Sequence, residues 1–596
     1  MSVEPVGDVW RPAAGRSAFY LRIGVALGQA LAIWLLLEAA QQHAWPATQP
    51  RVFEPLIIVS LLAPLLAIQA ASRVPLVALL LWTLAAAAVL AWLGFHDADR
   101  GRFLAGPAAL RDVLWPAARL DLVLPPALFI AQALAVDSLI ERRLAPSYPL
   151  HFDTAWGQAV QVILTVAFTL VFWGLLELGA ALFALVRIDA FQHLIHHDWF
   201  ACPATTLAIA VSIHVTDVRP ELIRGTRALA LTLFSWLAPL FVVIVLGFLA
   251  SLAVVSLEPL WATHFAAQLL LCAAAQLVFL VNCCYQDGAP SASSRVRRVA
   301  ASVGAAEIAP LAILAAAAIG LRVGEYGWTA ERIFAAAVDL VALCYGAGYA
   351  AALLPGRSWL KRLEPTNFAA AYLILALVLA LFTPIADPAR LMTADQMGRL
   401  RSGATPADRF DYAALRREGA RWGEAALQGL AAGQPGPAKA GADAALKSPF
   451  GFMPAPAPSL SAQDLQGRIS VRPAGARLPP AFYAALASSG SAGAGGDFTV
   501  SNILRACLYQ RCAASYLPLG PGAPPAIAVV ANVMGVVFEE TAPGQWRPAA
   551  LLNFCSPAEA DDLLAGKAQA QPHPWPDLAV GGRRIELRSL RPDCGS

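Results

Sequence analysis

The sequence predicts a mainly α-helical protein: a polytopic bundle of about eleven transmembrane helices, followed by a small α+β domain outside the membrane. Three observations lead to this fold class. Long apolar stretches recur between residues 19 and 386, only 14% of the residues are charged, and the polar tail has strand-like alternation. About 20 apolar residues cross the hydrocarbon core as a helix, whereas soluble proteins have about 25% charged residues. A lipid bilayer is therefore the first partner that the chain requires.

The predicted spans follow from the apolar stretches and their lengths. We place them at residues 19–40, 52–71, 74–95, 120–140, 158–186, 200–216, 229–255, 260–284, 299–321, 332–354 and 367–386. The sixth span is the weakest, because it is short and contains several polar side chains. Residues 1–18 hold Arg11 and Arg16 but no cleavage signature, so we expect a short cytoplasmic segment and a retained first helix.

The basic residues in the short loops predict the orientation of the bundle, since these residues concentrate on the cytoplasmic side. With the N-terminus inside, the inner segments hold Arg11, Arg16, Arg73, Arg142, Arg143, Arg219, Arg224, Arg227, Arg295, Arg297, Arg298, Arg357, Lys361 and Arg362. The outer segments hold the smaller set, which is Arg51, Arg100, Arg102, Arg111, Arg119, Arg187, Arg322 and Arg332. Arginine and alanine usage is typical of a GC-rich bacterial genome. We therefore predict an inner-membrane protein with a periplasmic tail.

The first part of the tail, residues 387–432, predicts two amphipathic helices outside the membrane. Asp387 is a suitable N-cap, and Pro388 suits the first helical turn. Asp395 and Arg399 have the spacing of an ion pair on one helix face.

The remainder of the tail predicts a linker and a small folded domain. Residues 433–462 are rich in proline, alanine and glycine, as is typical of a linker. Residues 463–596 predict a periplasmic α+β domain. Its strand-like segments are residues 527–539, 546–554 and 584–590, the first two of which flank a turn.

The tail holds four cysteines: Cys507, Cys512, Cys555 and Cys594. An even number of cysteines suits an oxidising compartment, which agrees with the predicted orientation. Cys507 and Cys512 can close a small disulfide loop if their segment is not helical. Cys555 and Cys594 are a candidate second pair, and the alternative for all four is a free buried thiol.

Among the ionisable residues within the predicted spans, we single out five: Glu177, His214, His264, Glu307 and Asp339. Ionisable groups are costly in lipid and usually face the bundle interior or a water-filled cavity. We therefore treat these residues as a candidate polar interior, which includes a proton or ion route. The alternative is buried hydrogen bonding between helices.

The segment between the ninth and tenth spans is a candidate outer-face site. Thr329 can cap the tenth span, and Trp328 suits the membrane interface, so the segment can have a purely structural role. The functional alternative is a site for a ligand or a partner that includes Arg322, Glu325, Trp328 and Arg332.

A weak metal site is conceivable at Asp189, His193 and His197, because a helix would place all three on one face. These three candidate ligands come from one short segment, and no second group of metal-binding residues accompanies them in the sequence, so we predict no metal. The sequence has no P-loop, dinucleotide glycine pattern or Gly-x-Ser-x-Gly motif. We accordingly predict no cofactor, and the net charge of +3 is too small to predict nucleic acid as a partner.

Several segments resemble a bacterial multi-pass membrane family. They are LRVGEYGWTAERIF at residues 321–334, Asn367-Phe368, PIADPAR at residues 384–390 and RWGE at residues 421–424. The family is the one catalogued as domain of unknown function 4153, and the similarity runs from about residue 150 to 432. The resemblance implies a multi-pass inner-membrane protein with a C-terminal outer domain, and it implies no activity.

Three functions compete at this point. The favoured one is a non-catalytic envelope protein that anchors a periplasmic interaction domain, with a further envelope protein as a possible partner; it requires a tightly packed bundle. A transporter or channel requires a polar cavity that reaches the middle of the bilayer. A membrane-embedded enzyme requires acids and arginines that converge near Arg322 and Glu325.

Overall fold

The structure of the protein is a computed structural model. The structure describes residues 15–101, 118–255, 265–288, 294–355, 359–447, 462–473, 475–491, 507, 512–517, 525–531, 534–567, 578–580 and 583–585.

Eleven helices of the described residues are long and apolar enough to cross a membrane, which confirms the predicted fold class. The helices of the bundle, including the short α6, are α1 (Arg16–Gln41), α2 (Pro50–Ala70), α3 (Leu76–Asp99), α4 (Ala118–Glu141), α5 (Tyr148–Leu185), α6 (Ala190–His196), α7 (Asp198–Val218), α8 (Pro220–Val255), α9 (Ala266–Tyr285), α10 (Arg295–Tyr326), α11 (Ala330–Ala352) and α12 (Leu363–Leu381). The weak sixth span is α7, a helix of 21 residues.

Several helices extend beyond the apolar stretches that predicted them. Helix α5 begins at Tyr148 instead of residue 158, because its first turns are polar in part but still pack in the core through Tyr148 and Phe152. Helix α12 ends at Leu381 instead of residue 386, since the chain turns before Pro384. Hydropathy alone predicts neither the start of α5 nor the end of α12.

The bundle has a buried core and an apolar outer surface. Leu277, Ile308 and Leu311 have no exposed surface in the main core, which joins α4, α5 and α8 to α12. By contrast, Leu81 and Leu170 are 65% and 68% exposed. Apolar side chains that remain exposed over so much of a bundle are those that face lipid.

Helix α13 (Pro388–Ser402) begins where the sequence predicts, since Asp387 Oδ1 accepts a hydrogen bond from the Ala389 amide at 2.8 Å. The second amphipathic segment forms two helices, α14 (Tyr412–Glu418) and α15 (Ala420–Ala431). They are separate because Ala420 has a φ of +48°, which interrupts the helical path.

The segment expected to be a linker contains a further helix, α16 (Pro437–Lys447), whose Ala442 and Ala445 are buried. Its small side chains permit close packing, for example of Gly441 against the ring of Tyr412. Proline at the first position of a helix is favourable, so the composition of this segment did not exclude a helix.

The C-terminal part is a small α+β unit, as the sequence predicts. Its elements are α17 (Ala462–Arg468), β1 (Ile469–Arg472), α18 (Pro480–Ser491), β2 (Cys512–Leu517), β3 (Ala526–Ala531), β4 (Met534–Ala542), β5 (Gln545–Asn553), α19 (Pro557–Leu564), β6 (Leu578–Val580) and β7 (Arg583–Ile585). Strands β1 to β5 form one sheet in chain order, with β1 parallel to β2 and the other pairs antiparallel. The predicted segment 527–539 is thus two paired strands, β3 and β4.

Both faces of this sheet are covered. On one face, the ring of Phe482 lies 5.5 Å from that of Phe538 and 5.4 Å from that of Trp546. On the other face, α19 packs Ala560 and Leu564 against β3. Contacts divide the chain into two compact units, which are residues 1–399 with 418–423 and residues 400–417 with 424–596.

Candidate functional site

The turn between α10 and α11 is built from local capping interactions. Thr329 Oγ1 accepts a hydrogen bond from the Arg332 amide at 3.3 Å, so the predicted N-cap of α11 is confirmed. Gly327 ends α10 with a φ of +78° and a ψ of −176°, a conformation that is essentially confined to glycine. Arg332 Nη1 then donates to the Gly327 carbonyl at 2.7 Å, which joins the two helix ends.

Helix α13 satisfies the carbonyl groups at the C-terminal end of α10. Arg399 Nη2 donates to the carbonyls of Val323 and Gly324 at 2.8 and 2.7 Å. Gln396 Nε2 donates to the carbonyls on either side of Gly327, at 3.1 and 3.0 Å. The last carbonyls of a helix have no intrahelical partner and carry negative partial charge, so a guanidinium at this point stabilises the helix end.

Helix α13 also contacts the turn through the carboxylate of Asp395. Asp395 Oδ2 accepts a hydrogen bond from the Trp328 amide at 2.8 Å. It also lies 3.6 Å from Arg399 Nε, which confirms the predicted ion pair. A Cβ atom on Gly327 would lie 2.5 Å from Arg399 Nε and 2.6 Å from Asp395 Oδ2. The backbone conformation therefore favours glycine, and any side chain here would also displace the Arg399 and Asp395 groups that hold the turn.

A cavity of about 870 Å³ lies beside this turn. Three predicted site residues, Arg322, Glu325 and Arg332, contribute to its wall, together with Tyr326, Thr329 and Glu331. The other lining residues are Ala266, Ala267, Gln268, Ala318, Ile319, Leu321, Ala335 and Glu418. The cavity thus combines a charged rim with an apolar wall that comes mainly from α9 and α10.

The charges of the rim do not balance. The lining holds the two arginines Arg322 and Arg332 and the three acids Glu325, Glu331 and Glu418. Arg332 is engaged in structure, since it bonds the Gly327 carbonyl and lies 5.5 Å from the ring of Tyr326. The lining residues thus include one more acid than arginine.

Trp328 is the one member of the predicted outer-face site that the cavity lining does not include. Its backbone is bound by Asp395 and Gln396, so its position follows from the turn. Sequence reasoning missed Gln268 and Glu418 as lining residues, because both are distant in sequence from the turn.

Of the five ionisable residues singled out in the spans, the four that the structure describes do not form one polar interior. Glu307 and Asp339 are buried, at 3% and 5% exposure, and both Glu307 oxygens and Asp339 Oδ1 have no hydrogen-bond partner there. Glu177 is instead 51% exposed and lies 3.6 Å from His196, so we exclude it from a buried interior. His214 belongs to a different cluster, described below.

Two predicted residues lie outside the described residues, namely His264 and Cys594. Cys507 and Cys512 are joined by a disulfide in the structure, with a Cα–Cα distance of 5.2 Å. Cys555 is also disulfide-bonded. The structure therefore has the oxidised form of this unit.

The helix that would place Asp189, His193 and His197 on one face as metal ligands is not present in the structure. Helix α6 covers only Ala190–His196, and His197 has extended backbone with a ψ of 129°. Across the part of the chain that the structure describes, no three metal-binding side chains come together.

A buried ionic cluster that the sequence analysis missed lies at the opposite end of the bundle, where α1 begins and α7 ends. Arg22 forms an ion pair with Asp217, and its side chain has no exposed surface. Its Nη1 lies 3.2 Å from His214 Nδ1. Arg73 Nη2 lies 3.5 Å from Asp217, and Gln161 Nε2 donates to the same carboxylate at 3.1 Å. An arginine within the first apolar stretch was the signal for this cluster.

A second polar cluster at that end includes the Asn367 of the family-like segments. Asn367 Nδ2 donates to Tyr148 Oη at 3.0 Å and to Asn282 Oδ1 at 2.7 Å. Tyr349 Oη donates to Asn367 Oδ1 at 2.8 Å and accepts from Asn282 Nδ2 at 2.7 Å. Such closed hydrogen-bond rings tie helices together in a bundle, so this cluster has a structural explanation.

A third cluster explains the PIADPAR and RWGE segments. Asp387 Oδ2 lies 2.9 Å from His96 Nε2 and 3.5 Å from Arg100 Nη1. Burial alone would raise the pKa of Asp387, but the His96 hydrogen bond, the Arg100 charge and the Ala389 amide together hold it below its ordinary value. Arg421 donates from its backbone to the Arg100 carbonyl at 2.9 Å. These segments therefore fasten α13 and its surroundings to α3.

The fold and the site define a polytopic membrane protein with a cavity at one end of its helical bundle and a separate small α+β unit. The segments that resemble a known family build the turn beside the cavity, fasten α13 to α3, and contribute Asn367 to the hydrogen-bonded cluster at the opposite end of the bundle. The chain belongs to the family described as Domain of unknown function (DUF4153), whose profile matches residues 56–421. Comparison with curated proteins and with solved structures gives no match.

Proposed function

We propose that this protein is a non-catalytic envelope protein that binds a small ligand in the cavity beside the α10–α11 turn. The observation that supports it most is the cavity itself, whose volume of about 870 Å³ lies in the range of small-molecule sites. Such sites combine apolar walls with a few placed polar groups, and this cavity has alanine walls under a charged rim.

The proposed setting is the bacterial inner membrane, with the N-terminus in the cytoplasm and both the cavity and the α+β unit on the periplasmic side. The distribution of basic residues supports this orientation. The disulfide between Cys507 and Cys512 also supports it, because disulfides persist in oxidising compartments. The α+β unit is then the part that would contact a further envelope protein.

Binding can be tested by filling the cavity. Native mass spectrometry and solvent extraction of the purified full-length protein are expected to reveal a bound small molecule, which Ala335→Trp should exclude. Leu81→Trp is the matched control, because Leu81 is 65% exposed on the apolar outer surface. An empty wild-type protein, or a molecule that Ala335→Trp retains, would contradict the proposal.

A membrane-embedded enzyme is the second candidate, because acids and arginines converge near Arg322 and Glu325 as that function requires. Carboxylates on a common site can act as general acid and base. The enzyme is favoured if the extracted molecule is converted on incubation with wild-type protein and is left unchanged by Glu325→Gln. Transport has less support, since the lining extends into the bundle only as far as Ala318 and Ala335 among the described residues.

A further inference from the structure

Asp339 is a buried acid on α11, about one helical turn beyond the cavity lining. Ala335 contributes to the cavity wall, and Asp339 follows it by four residues on α11, so the two share a helix face. Side chains on a helix lean toward its N-terminus, and the N-terminus of α11 is at the cavity. The Asp339 carboxylate therefore leans toward the cavity floor.

The packing of α11 on α10 agrees with this placement. Gly346 lies seven residues beyond Asp339 on the same face, and its Cβ position is 2.8 Å from Ala309 Cα. The two helices are antiparallel because a three-residue turn joins them. Counting back from this contact places Asp339 alongside the alanine run at residues 315–318, the last of which lines the cavity.

Asp339 is buried although one of its carboxylate oxygens has no hydrogen-bond partner among the described residues. It is 5% exposed, and its Oδ1 has no hydrogen bond within the described part of the chain. The alanines opposite it cannot supply one. A buried carboxylate without a partner is costly, and in membrane proteins such a group marks a functional position.

We propose that Asp339 is the deep binding group of the cavity and that the ligand is an organic amine. This inference rests on the proposed function. The ammonium would pair with the Asp339 carboxylate, and the apolar part would lie against Ala318, Ile319 and Ala335. With Asp339 included, the cavity has two more acids than arginines, which suits a cation.

The shape and chemistry favour an amine over a metal ion. Hard cations such as Ca²⁺ need six to eight oxygen ligands, whereas the described lining at the depth of Ala318 and Ala335 adds no carboxylate to that of Asp339. Glu331 on the rim precedes Asp339 by eight residues, which is about 12 Å along a helix. A second ammonium on the same molecule could therefore reach a rim acid.

The test uses full-length protein in nanodiscs and three probes: 1,4-diaminobutane, n-butylamine and 1-butanol. We expect both amines to bind, the diamine more tightly, and butanol not to bind measurably. Asp339→Asn should weaken the binding of both amines at least tenfold. Glu307→Gln is the matched control, because Glu307 is an equally buried acid whose oxygens have no hydrogen-bond partner among the described residues. It precedes the cavity-lining Ala318 by eleven residues, which is about 16 Å along α10. The Glu307→Gln variant should bind both amines as wild type does.

The outcomes separate this inference from the proposed function. Unchanged amine binding by a folded Asp339→Asn variant would overturn the role of Asp339, as would butanol binding as tightly as butylamine. Failure of both amines to bind wild type would overturn the ligand class. In either case the cavity as a binding site is judged separately, by the Ala335→Trp extraction experiment.

Discussion

Replacing Gly327 by alanine tests how the turn beside the cavity is built. Gly327 has a φ of +78° and a ψ of −176°, where a side chain costs about 1–3 kcal/mol. The new Cβ would also lie within 2.7 Å of Arg399, Asp395 and Gln396. Each hydrogen bond that these side chains lose would cost about 1 kcal/mol more. We therefore expect a destabilisation of about 2–5 kcal/mol.

The assay is thermal unfolding of the purified protein in one detergent, followed by tryptophan fluorescence. Gly324→Ala is the matched control, because Gly324 lies within α10 and an added Cβ would meet nothing within 4 Å. That variant should be as stable as wild type or slightly more so, since alanine favours a helix over glycine by about 1 kcal/mol. Equal stability of Gly327→Ala and wild type would refute the described turn.

Three further predictions concern the Arg22–Asp217 ion pair, the Asp387 cluster and the Cys507–Cys512 disulfide. Asp217→Asn leaves the buried Arg22 without its ion pair and should cost about 3–5 kcal/mol of stability in the same unfolding assay. Asp562→Asn is the control, because it breaks an exposed pair with Lys567 and should cost less than about 1 kcal/mol. Equal losses of stability in the two variants would contradict the buried ionic cluster. The lowered pKa of Asp387 stabilises the fold above the ordinary carboxyl pKa of about 3.9, and this contribution is lost as the pH falls through the folded value. The stability difference between wild type and Asp387→Asn should thus shrink between pH 5 and pH 3, and a constant difference would argue against it. Cys507 and Cys512 should resist alkylation in the denatured protein until a reductant is added, as mass spectrometry would show; alkylation without reductant would exclude the disulfide.

The sequence was sufficient for the architecture because the membrane imposes a strong and simple pattern. Length and apolarity located all eleven helices, including the weak sixth, which is α7. The helix start at Asp387 and the cap at Thr329 were also predictable, since capping depends on neighbours in sequence. The small α+β unit followed from strand alternation around one turn.

The candidate site was predictable only in part, because its members come from distant segments. Arg322, Glu325 and Arg332 lie within one turn region and were identified together. Glu418 lies far along the chain, so only tertiary structure could bring it to the cavity. Arg22 and Asp217 come from distant segments and were not among the ionisable residues singled out from the sequence, so their ion pair was not recognised.

The predicted helix boundaries differ from the observed ones for another reason. The first turns of α5 contain His151 and Asp153, which lower the apolarity that defines a span. Both side chains have a partner of opposite charge or a hydrogen-bond partner in the structure. His151 Nδ1 lies 2.8 Å from Asp137, and Asp153 pairs with Arg227. Polar residues with partners extend a membrane helix beyond what hydropathy predicts.

The central claim is that the cavity opens on the outer side of the membrane. It is tested most directly by labelling intact cells with a membrane-impermeant thiol reagent, with wild type as the background for native cysteines. Ala267 lines the cavity, whereas Leu144 is 85% exposed in the loop between α4 and α5, at the other end of the bundle. We expect Ala267→Cys to react in intact cells and Leu144→Cys to react only after permeabilisation. The reverse pattern would contradict the claim.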